Sequence, residues 1–586
     1  MKRHLYIFLF FLSLSSFGQG FLHRNGQKIV NGSGYNVILR GLGLGGWMIQ
    51  EGYMLKTADS TNIGPQHVIK QKITELIGAK NTEEFYNAYK SNGITKKDID
   101  SLAAWGFNSI RLPMHFNLYT LPIELEKDLS QNTWLEEGFK MTDDLLNWCA
   151  ANKIYLILDL HGAPGGQGRD ANISDYDPLK PSLWESTANQ DKMVALWVKI
   201  ALRYKDSPWI GGYDIINEPN WNFDGKNKNG CDETSNAPLW ELQTRITKAI
   251  REVDANHLIF IEGNCWGNNY NGMPPLWDEN IALSFHKYWN PNNTESIQKF
   301  MDMRTQYNVP IWLGETGENS NVWFKDVISL AESNNIGWAF WPMKKIDNIA
   351  GITSVATTPE YEKLLQYWKK GGEKPSSDFA KAALTQIAEN YKLENVTIKR
   401  DVIDAMFRQV QTTETKMYKK HSLPGIIFAT EYDLGQNGYA YFDNVVANYN
   451  GTAFTKWNKG AAMRNDGVDI KSCNDTITNG FNVCFIDDNE WLQFTIDLNS
   501  DNEFDVDIRY SNAVAGGKLY LEDENGKISK TISIPFSADA IVWKTVTLKN
   551  VALKQGINKV KVHFKKGNFD LNYLEFKNAQ VKGPKK

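Results

Sequence analysis

The strongest constraint on this chain is an alternation. Between residues 36 and 342, eight short apolar runs are followed, one after another, by stretches with helical periodicity. The runs are Val37–Leu42, Phe107–Leu112, Ile154–Leu160, Gly212–Ile216, His257–Ile261, Ile281–Phe285, Pro310–Gly314 and Ile336–Trp341. Helical stretches between them include Asp143–Asn152, Gln190–Tyr204 and Leu239–Val253. A short unbroken apolar run has no polar face, so it suits a strand buried on both sides and covered by helices. Eight such strands in alternation with helices predict an α/β fold, a (β/α)8 TIM barrel. An open doubly wound sheet is the competing arrangement. Gly41, Gly43, Gly45 and Gly46 come close to a dinucleotide fingerprint, but a lone glycine cluster is weak support for one.

The text changes twice after the last run. From residue 345 to about Gln411 it is helical and polar, and a short link, Lys419–Gly425, follows. That link is too short for a free tether, so the next unit is expected to pack on the barrel. From Ile426 the period becomes two, with strands expected at Glu490–Leu498, Glu503–Tyr510, Lys518–Asp523, Trp543–Leu548 and Asn558–Phe564. Short alternating strands at regular spacing predict an all-β sandwich of the jelly-roll type. The domains are therefore placed at 21–420 for the barrel and 424–578 for the sandwich, with a polar tail at 579–586.

Residues 1–20 read as a signal peptide. Lys2, Arg3 and His4 form a basic head, Leu5–Leu14 an apolar core and Ser15–Gly20 a small polar end. The core is too short to span a bilayer, and no later apolar run is long enough, so a secreted, soluble protein is expected. Five cysteines in 586 residues exclude a disulfide-built scaffold. Cys473 with Cys484, and Cys231 with Cys265, are the candidate pairs, while Cys149 reads as a buried free thiol. With 64 basic against 68 acidic side chains and no basic run before the extreme C-terminus, a nucleic-acid partner is not expected. The 20 Trp and 24 Tyr suit a protein that stacks on sugar rings.

Catalysis in such a barrel sits at the C-terminal ends of the strands. Those ends carry Arg111, Asp159 with His161, Asn217-Glu218-Pro219, His286 with Tyr288, Glu315 and Trp341. Glu218 and Glu315, on strands four and seven, can point into one cleft. Two facing carboxylates, abundant Trp and no His spacing suited to a metal point to glycoside hydrolysis. One carboxyl must be protonated for the leaving oxygen and the other ionised to attack the anomeric carbon. Arg111 beside Glu315 would keep it ionised, and Tyr288 can hydrogen-bond the same carboxylate. Trp47, Trp221, Trp266 and Trp289 follow strands one, four, five and six, as loop packing or as sugar platforms.

The motifs Ser109–Pro113, Asp159–Gln167, Ile216–Pro219, Phe285–Tyr288, Gly314–Gly317 and Ala339–Trp341 resemble, in order, those of family 5 glycoside hydrolases. The resemblance covers about residues 25–415. It implies that Glu218 is the acid/base, Glu315 the nucleophile and Asn217 the holder of the sugar 2-hydroxyl. It further implies that Arg111, His161, His286 and Tyr288 shape subsite −1 over a Trp341 platform. Gly45–Glu51 and Asp159–Gln167 are nearest to exo-acting β-1,3-glucanases, in which the counterpart of Glu51 helps hold the terminal glucose. Leu112–Tyr119 and the loops after strands three and four depart from that text. The expected activity is retaining hydrolysis of a β-glucan polysaccharide or oligosaccharide, with no cofactor. The alternatives are an endo-acting β-1,4-glucanase or mannanase of the same family, or a non-catalytic glycan-binding protein.

Pro424–Asp443, Met463–Ile470, Gly480–Phe494 and Asn568–Phe576 resemble family 6 carbohydrate-binding modules. That resemblance implies a glycan cleft between two aromatic rings, an Asn from the last loop and a structural calcium. Met463 and about Ala540 stand where the rings belong, and Phe428 and Thr430 where acidic residues help hold calcium. The cleft is therefore expected to be weak or lost, with Glu431 and Asn572 as the remaining candidate contacts. A purely structural partner for the barrel is the other reading.

Overall fold

A computed structural model describes residues 20–58, 63–447, 458–537 and 542–579. The signal-peptide reading (apart from Gly20), Ala540 and nearly all of the tail lie outside the described residues. Eight parallel strands close a barrel: β1 (Arg40–Gly43), β2 (Ser109–His115), β3 (Tyr155–Gly162), β4 (Ile210–Asp214), β5 (Ile259–Glu262), β6 (Ile281–Lys287), β7 (Ile311–Gly317) and β8 (Gly337–Trp341). Each expected run falls on one strand. Several strands reach further toward their C-terminal ends than hydropathy suggests, because buried polar residues such as His115, His161 and Thr316 finish them. The mouth of the barrel is lined by strand ends, and there chemistry replaces apolar packing.

Three of the outer helices start on side-chain caps. Ser186, Asn293 and Ser320 accept from the backbone N–H three residues on, opening Thr187–Tyr204, Thr294–Tyr307 and Asn321–Ser333. A hairpin, His23–Asn25 with Lys28–Val30, closes the opposite end of the barrel by adding Leu22 and Ile29 to Leu39, Ile157, Phe260 and Trp312. A second layer of helices, Gln66–Gly93, Pro359–Lys370 and Ser377–Asn390, has its own core around Ile73, Leu364 and Leu384.

The C-terminal domain is two antiparallel sheets. One is built on Asp570–Asn578, Asn502–Ser511 and Lys544–Leu553, the other on Trp491–Leu498, Gly556–Lys566 and Gly517–Asp523. Alternate residues of both, including Phe494, Val506, Ile508, Val562 and Leu574, fill the space between them. The link does not swing freely: the backbones of Lys416 and Leu434 pair with each other.

Cys231 and Cys265 form a disulfide. Cys473 and Cys484 do not, which corrects the first candidate pair. They flank a hairpin in which Cys473 N–H bonds Gly480 O and Cys484 N–H bonds Asp469 O, so register puts them opposite other residues. Cys149 is a buried thiol. Among the described residues no helix is long and apolar enough to cross a membrane.

Candidate active site

After β4 the backbone turns sharply, and Glu218 takes a left-handed conformation with φ 43°. Such a conformation costs a non-glycine residue about 1–3 kcal/mol and must be held by its surroundings. The holder is Glu262 at the end of β5, whose Oε2 accepts the Glu218 N–H at 2.7 Å. From β6, His286 Nδ1 meets Glu218 Oε1 at 2.6 Å and Glu315 Oε2 at 3.1 Å. Its Nε2 lies 3.2 Å from Glu262 Oε1. One oxygen of Glu218, one of Glu315 and a ring nitrogen of His286 all lie within 4.8 Å of one another.

Beneath them Arg111 is completely buried, and its guanidinium faces Asp159 at 3.2 Å, Asp214 at 2.9 Å, Glu262 at 3.4 Å and Glu315 at 3.5 Å. Burial pulls its pKa down, but these carboxylates outweigh that and keep it well above the usual value. His286 follows the same logic. Burial disfavours its charge, yet Glu262 and Glu315 raise it well above an ordinary histidine, so it stays an imidazolium. The trio of Glu218, His286 and Glu315 thus carries its own internal cation. Burial pushes Glu315 up to about 7, with the Glu218 charge adding; His286 and Arg111 pull the other way but do not outweigh burial, which corrects the expectation that Arg111 holds this carboxyl in the ordinary ionised range. Oε2 of Glu315 is held by its two ion pairs, with His286 and Arg111, and not by the Tyr288 hydroxyl expected from sequence.

His161 is oriented by Asp159, whose Oδ2 lies 2.9 Å from Nδ1. Its ring stacks on Trp341 at 5.2 Å and 6°. Its Nε2 faces Glu51 at 3.7 Å, and burial pushes Glu51 up to about 7 while His161 opposes it. Trp341 is seated by the glycine cluster: a Cβ on Gly43 or Gly45 would come within 2.6 or 2.5 Å of its ring. Those glycines serve ring packing, and the dinucleotide comparison falls away. Trp341 Nε1 donates to the Tyr53 hydroxyl at 2.8 Å.

The strand ends enclose a hollow of about 570 Å³ lined by Glu51, Tyr53, Glu218, Trp266, His286, Tyr288, Trp289, Glu315, Glu318 and Trp341, with Asp170 and Asn172 from the loop after β3. Trp289 stands on its rim, 42% exposed, with its indole N–H on Glu318 O. Arg111, His161 and Asn217 form the layer below. Asn217 receives a bond from Arg111 Nη2 at 2.7 Å, and its Nδ2 lies 3.3 Å from His161 Nε2. Two expected platforms do not reach the hollow. Trp47 is part of the barrel core, its indole N–H on Lys90 O. Trp221 is 4% exposed, covered by the Arg169 guanidinium at 4.0 Å and by Tyr176. Glu262, Tyr53 and Glu318 were not expected. Glu262 was within reach of the strand-end rule, since it closes the run Ile259–Glu262; Tyr53 and Glu318 sit on loops that carry no such signal.

Residues 69–346 match the family model described as cellulase (glycosyl hydrolase family 5), and residues 461–578 the model of carbohydrate binding module family 6. The barrel domain belongs to glycosyl hydrolase family 5. The chain is a glycoside hydrolase with a C-terminal family 6 module. Its relatives include "Beta-xylosidase" of Phanerodontia chrysosporium, 28% identical over 386 residues, covering 59% of this chain and 75% of that one. They also include "Endoglucanase C" of Acetivibrio thermocellus, 26% identical over 320 residues (43% and 85%). "Probable glucan 1,3-beta-glucosidase A" of Aspergillus fumigatus is 24% identical over 257 residues (43% and 56%). Among solved structures, rutinosidase from Aspergillus niger aligns with TM-score 0.42 at 16% identity, covering 53% of this chain and 91% of that one.

In the family 6 module the candidate contacts are turned inward. Asn572 is fully buried, with Nδ2 donating to Asp475 Oδ2 at 2.9 Å and Ile477 O at 2.8 Å. Glu431 is buried and paired with Lys419 Nζ at 2.7 Å. Both are therefore corrected from ligand contacts to internal ties. The side chains at 428–431 do not fit a calcium ion either. Phe428 has no ligand atom, Thr430 Oγ1 takes a bond from Asn479, and Lys419 holds Oε1 of Glu431, which leaves one carboxylate oxygen against the roughly six to eight ligands such an ion takes.

Proposed function

We propose that this family 5 enzyme is a secreted retaining β-glucan hydrolase, with Glu218 as acid/base and Glu315 as nucleophile. The observation that carries the reading is the approach of the two carboxylates within 4.8 Å in one hollow. Retaining enzymes hold the pair about 5–5.5 Å apart, while inverting ones leave room for a water between more distant groups. In the first step Glu315 bonds the anomeric carbon while Glu218 protonates the departing oxygen. In the second, Glu218 takes a proton from water as the water oxygen bonds the anomeric carbon and the bond to Glu315 breaks, which releases the sugar with its original anomeric configuration. Glu315 suits the nucleophile because Arg111 and His286 flank it: both favour its ionised form before attack and stabilise the carboxylate that returns when it leaves in the second step. The His161–Trp341 stack and Glu51 shape the end of the hollow that would take a terminal sugar.

Export is supported by the Cys231–Cys265 bridge, which belongs to an oxidising compartment. The names of the relatives favour a glucan substrate, and the beta-xylosidase among them favours a second reading with a pentose in the same subsite. The test is turnover of laminarin, lichenan, cellulose, mannan and aryl β-xyloside, with the anomer of the first product followed by NMR. Retention, and its loss in Glu315→Gln, is the expected result. An inverted first product, or wild-type turnover by Glu315→Gln, would overturn the mechanism.

A further inference from the structure

One wall of the catalytic hollow is held from outside the barrel. The loop after β7 contributes Glu318, left-handed at φ 51°, whose carboxylate meets Lys345 Nζ at 2.7 Å and whose carbonyl takes the Trp289 indole N–H at 3.0 Å. The next three residues, Asn319, Ser320 and Asn321, are buried, and the sandwich domain grips each of them. Asn465 Nδ2 donates to Asn319 O at 2.8 Å and to Asn321 Oδ1 at 3.1 Å, and Asn465 O accepts the Asn321 N–H at 2.9 Å. Ser320 Oγ bonds Ala447 O. Asp401 Oδ2, from the helix Arg400–Phe407, accepts both the Asn465 N–H and Asn321 Nδ2 at 2.8 Å.

Asn465 is itself fully buried, so these bonds are dry and truncating one partner leaves amide groups unpaired. A tethered binding module would leave such groups to water. The neighbouring Met463, where the family 6 resemblance calls for a stacking ring, has its carbonyl on the barrel's Lys399 at 3.0 Å. The loop that should face a glycan is committed to docking. We propose that Asn465 is a positioning residue of the catalytic site: through Asn319–Asn321 the sandwich sets where Glu318 and Trp289 stand against a bound glycan chain. The proposal rests on the reading of the hollow as a glycan cleft.

The test uses the full chain with Asn465→Ala, measuring kcat and KM separately on two substrates. One is an aryl β-glycoside that occupies only the subsite of Glu218 and Glu315; the other is the longest oligosaccharide that wild type cleaves. We expect KM for the oligosaccharide to rise about three- to tenfold, the worth of one misplaced aromatic contact, with kcat on the aryl glycoside within about twofold. Trp289→Ala should also raise the oligosaccharide KM, and adding Asn465→Ala to it should change that KM little more. Lys399→Ala removes a docking contact that does not touch the β7 loop and should leave the oligosaccharide KM unchanged. An equal loss on both substrates, an unchanged oligosaccharide KM, or a Lys399→Ala variant that reproduces the split would overturn the positioning role. Wild-type turnover that vanishes in Glu315→Gln keeps the hydrolase reading standing whichever of these is seen, so the two can fail separately.

Discussion

The barrel mouth and the sandwich carry the same kinds of residue and use them in opposite ways. At the mouth, Glu218 and Glu315 line an open hollow of about 570 Å³. In the sandwich, Glu431 holds Lys419, and Asn572 ties together Asp475 and Ile477. A carboxylate can become a site where it keeps a face on an open hollow, as Glu218 and Glu315 do; enclosed by protein, as Glu431 is, it is a tie. The mouth keeps that face by surrounding its acids with other charges, Arg111 and His286, that are themselves held from below.

The largest expected effect separates the two acids. Glu218→Gln should lower glucan turnover by about 10²–10⁴-fold, the usual worth of general acid–base catalysis. On an aryl glycoside with a strongly acidic leaving phenol the first step needs no proton, so the loss there should be much smaller, or should shift to the second step as a burst. Pre-steady-state and steady-state rates on both substrates decide it. Equal losses on both would remove Glu218 from the acid role and blur the line between mouth and sandwich.

The next prediction concerns stability. Burial raises Glu315 from an ordinary 4.5 to about 7 in the folded chain. A carboxyl raised on folding adds no penalty below its unfolded pKa, and its contribution to stability is lost as pH climbs through the folded value. Glu315→Gln removes that penalty. The variant should match wild type in thermal unfolding near pH 4, gain on it from about pH 4.5 to 7, and hold the gain above. At about 1.4 kcal/mol per pH unit across that window the gain reaches roughly 3 kcal/mol. A variant less stable than wild type at pH 8 would show that Arg111 and His286 need the charge more than burial opposes it.

Much of this contrast was legible in the sequence, for physical reasons. The strands were visible because a doubly buried strand is apolar along most of its length and turns polar only near its end. Glu218, Glu315, Arg111, His161, His286 and Trp341 were visible because strand ends map to one face of a barrel. Trp47 and Trp221 were misplaced because a loop Trp faces inward or outward according to neighbours distant in sequence: Lys90 for one, Arg169 for the other. Cys473 and Cys484 were misread because spacing cannot show register, which the hairpin Ile470–Ser472 with Phe481–Val483 sets. Glu431 and Asn572 were chosen by family position, and position says nothing of what Lys419 or Asp475 will claim first.

On the sandwich side, Asn572→Ala should cost about 1–3 kcal/mol of stability, since it strips a bond from Ile477 O and one of two from buried Asp475 Oδ2, which Arg509 Nε still holds. Catalytic constants on soluble oligosaccharides should be unchanged, and so should retention on insoluble glucan. A loss of glucan retention at unchanged stability would restore Asn572 as a ligand contact.

The smallest effect is expected where the family 6 resemblance predicts a large one. Met463 stands at a ring position of that family's glycan cleft, so on the resemblance alone Met463→Trp would rebuild it. The structure argues otherwise. Met463 is left-handed at φ 56°, half-buried against the sandwich core, and its carbonyl is tied to Lys399. An indole added there meets protein before it meets sugar, and a β-carbon residue gains nothing from the left-handed backbone. Affinity-gel retardation on laminarin, lichenan and xylan should therefore match wild type, with at most about 1 kcal/mol lost in stability. A clear gain of retardation by Met463→Trp would mean that this end of the sandwich opens to solvent, and it would weaken the difference drawn between the two regions.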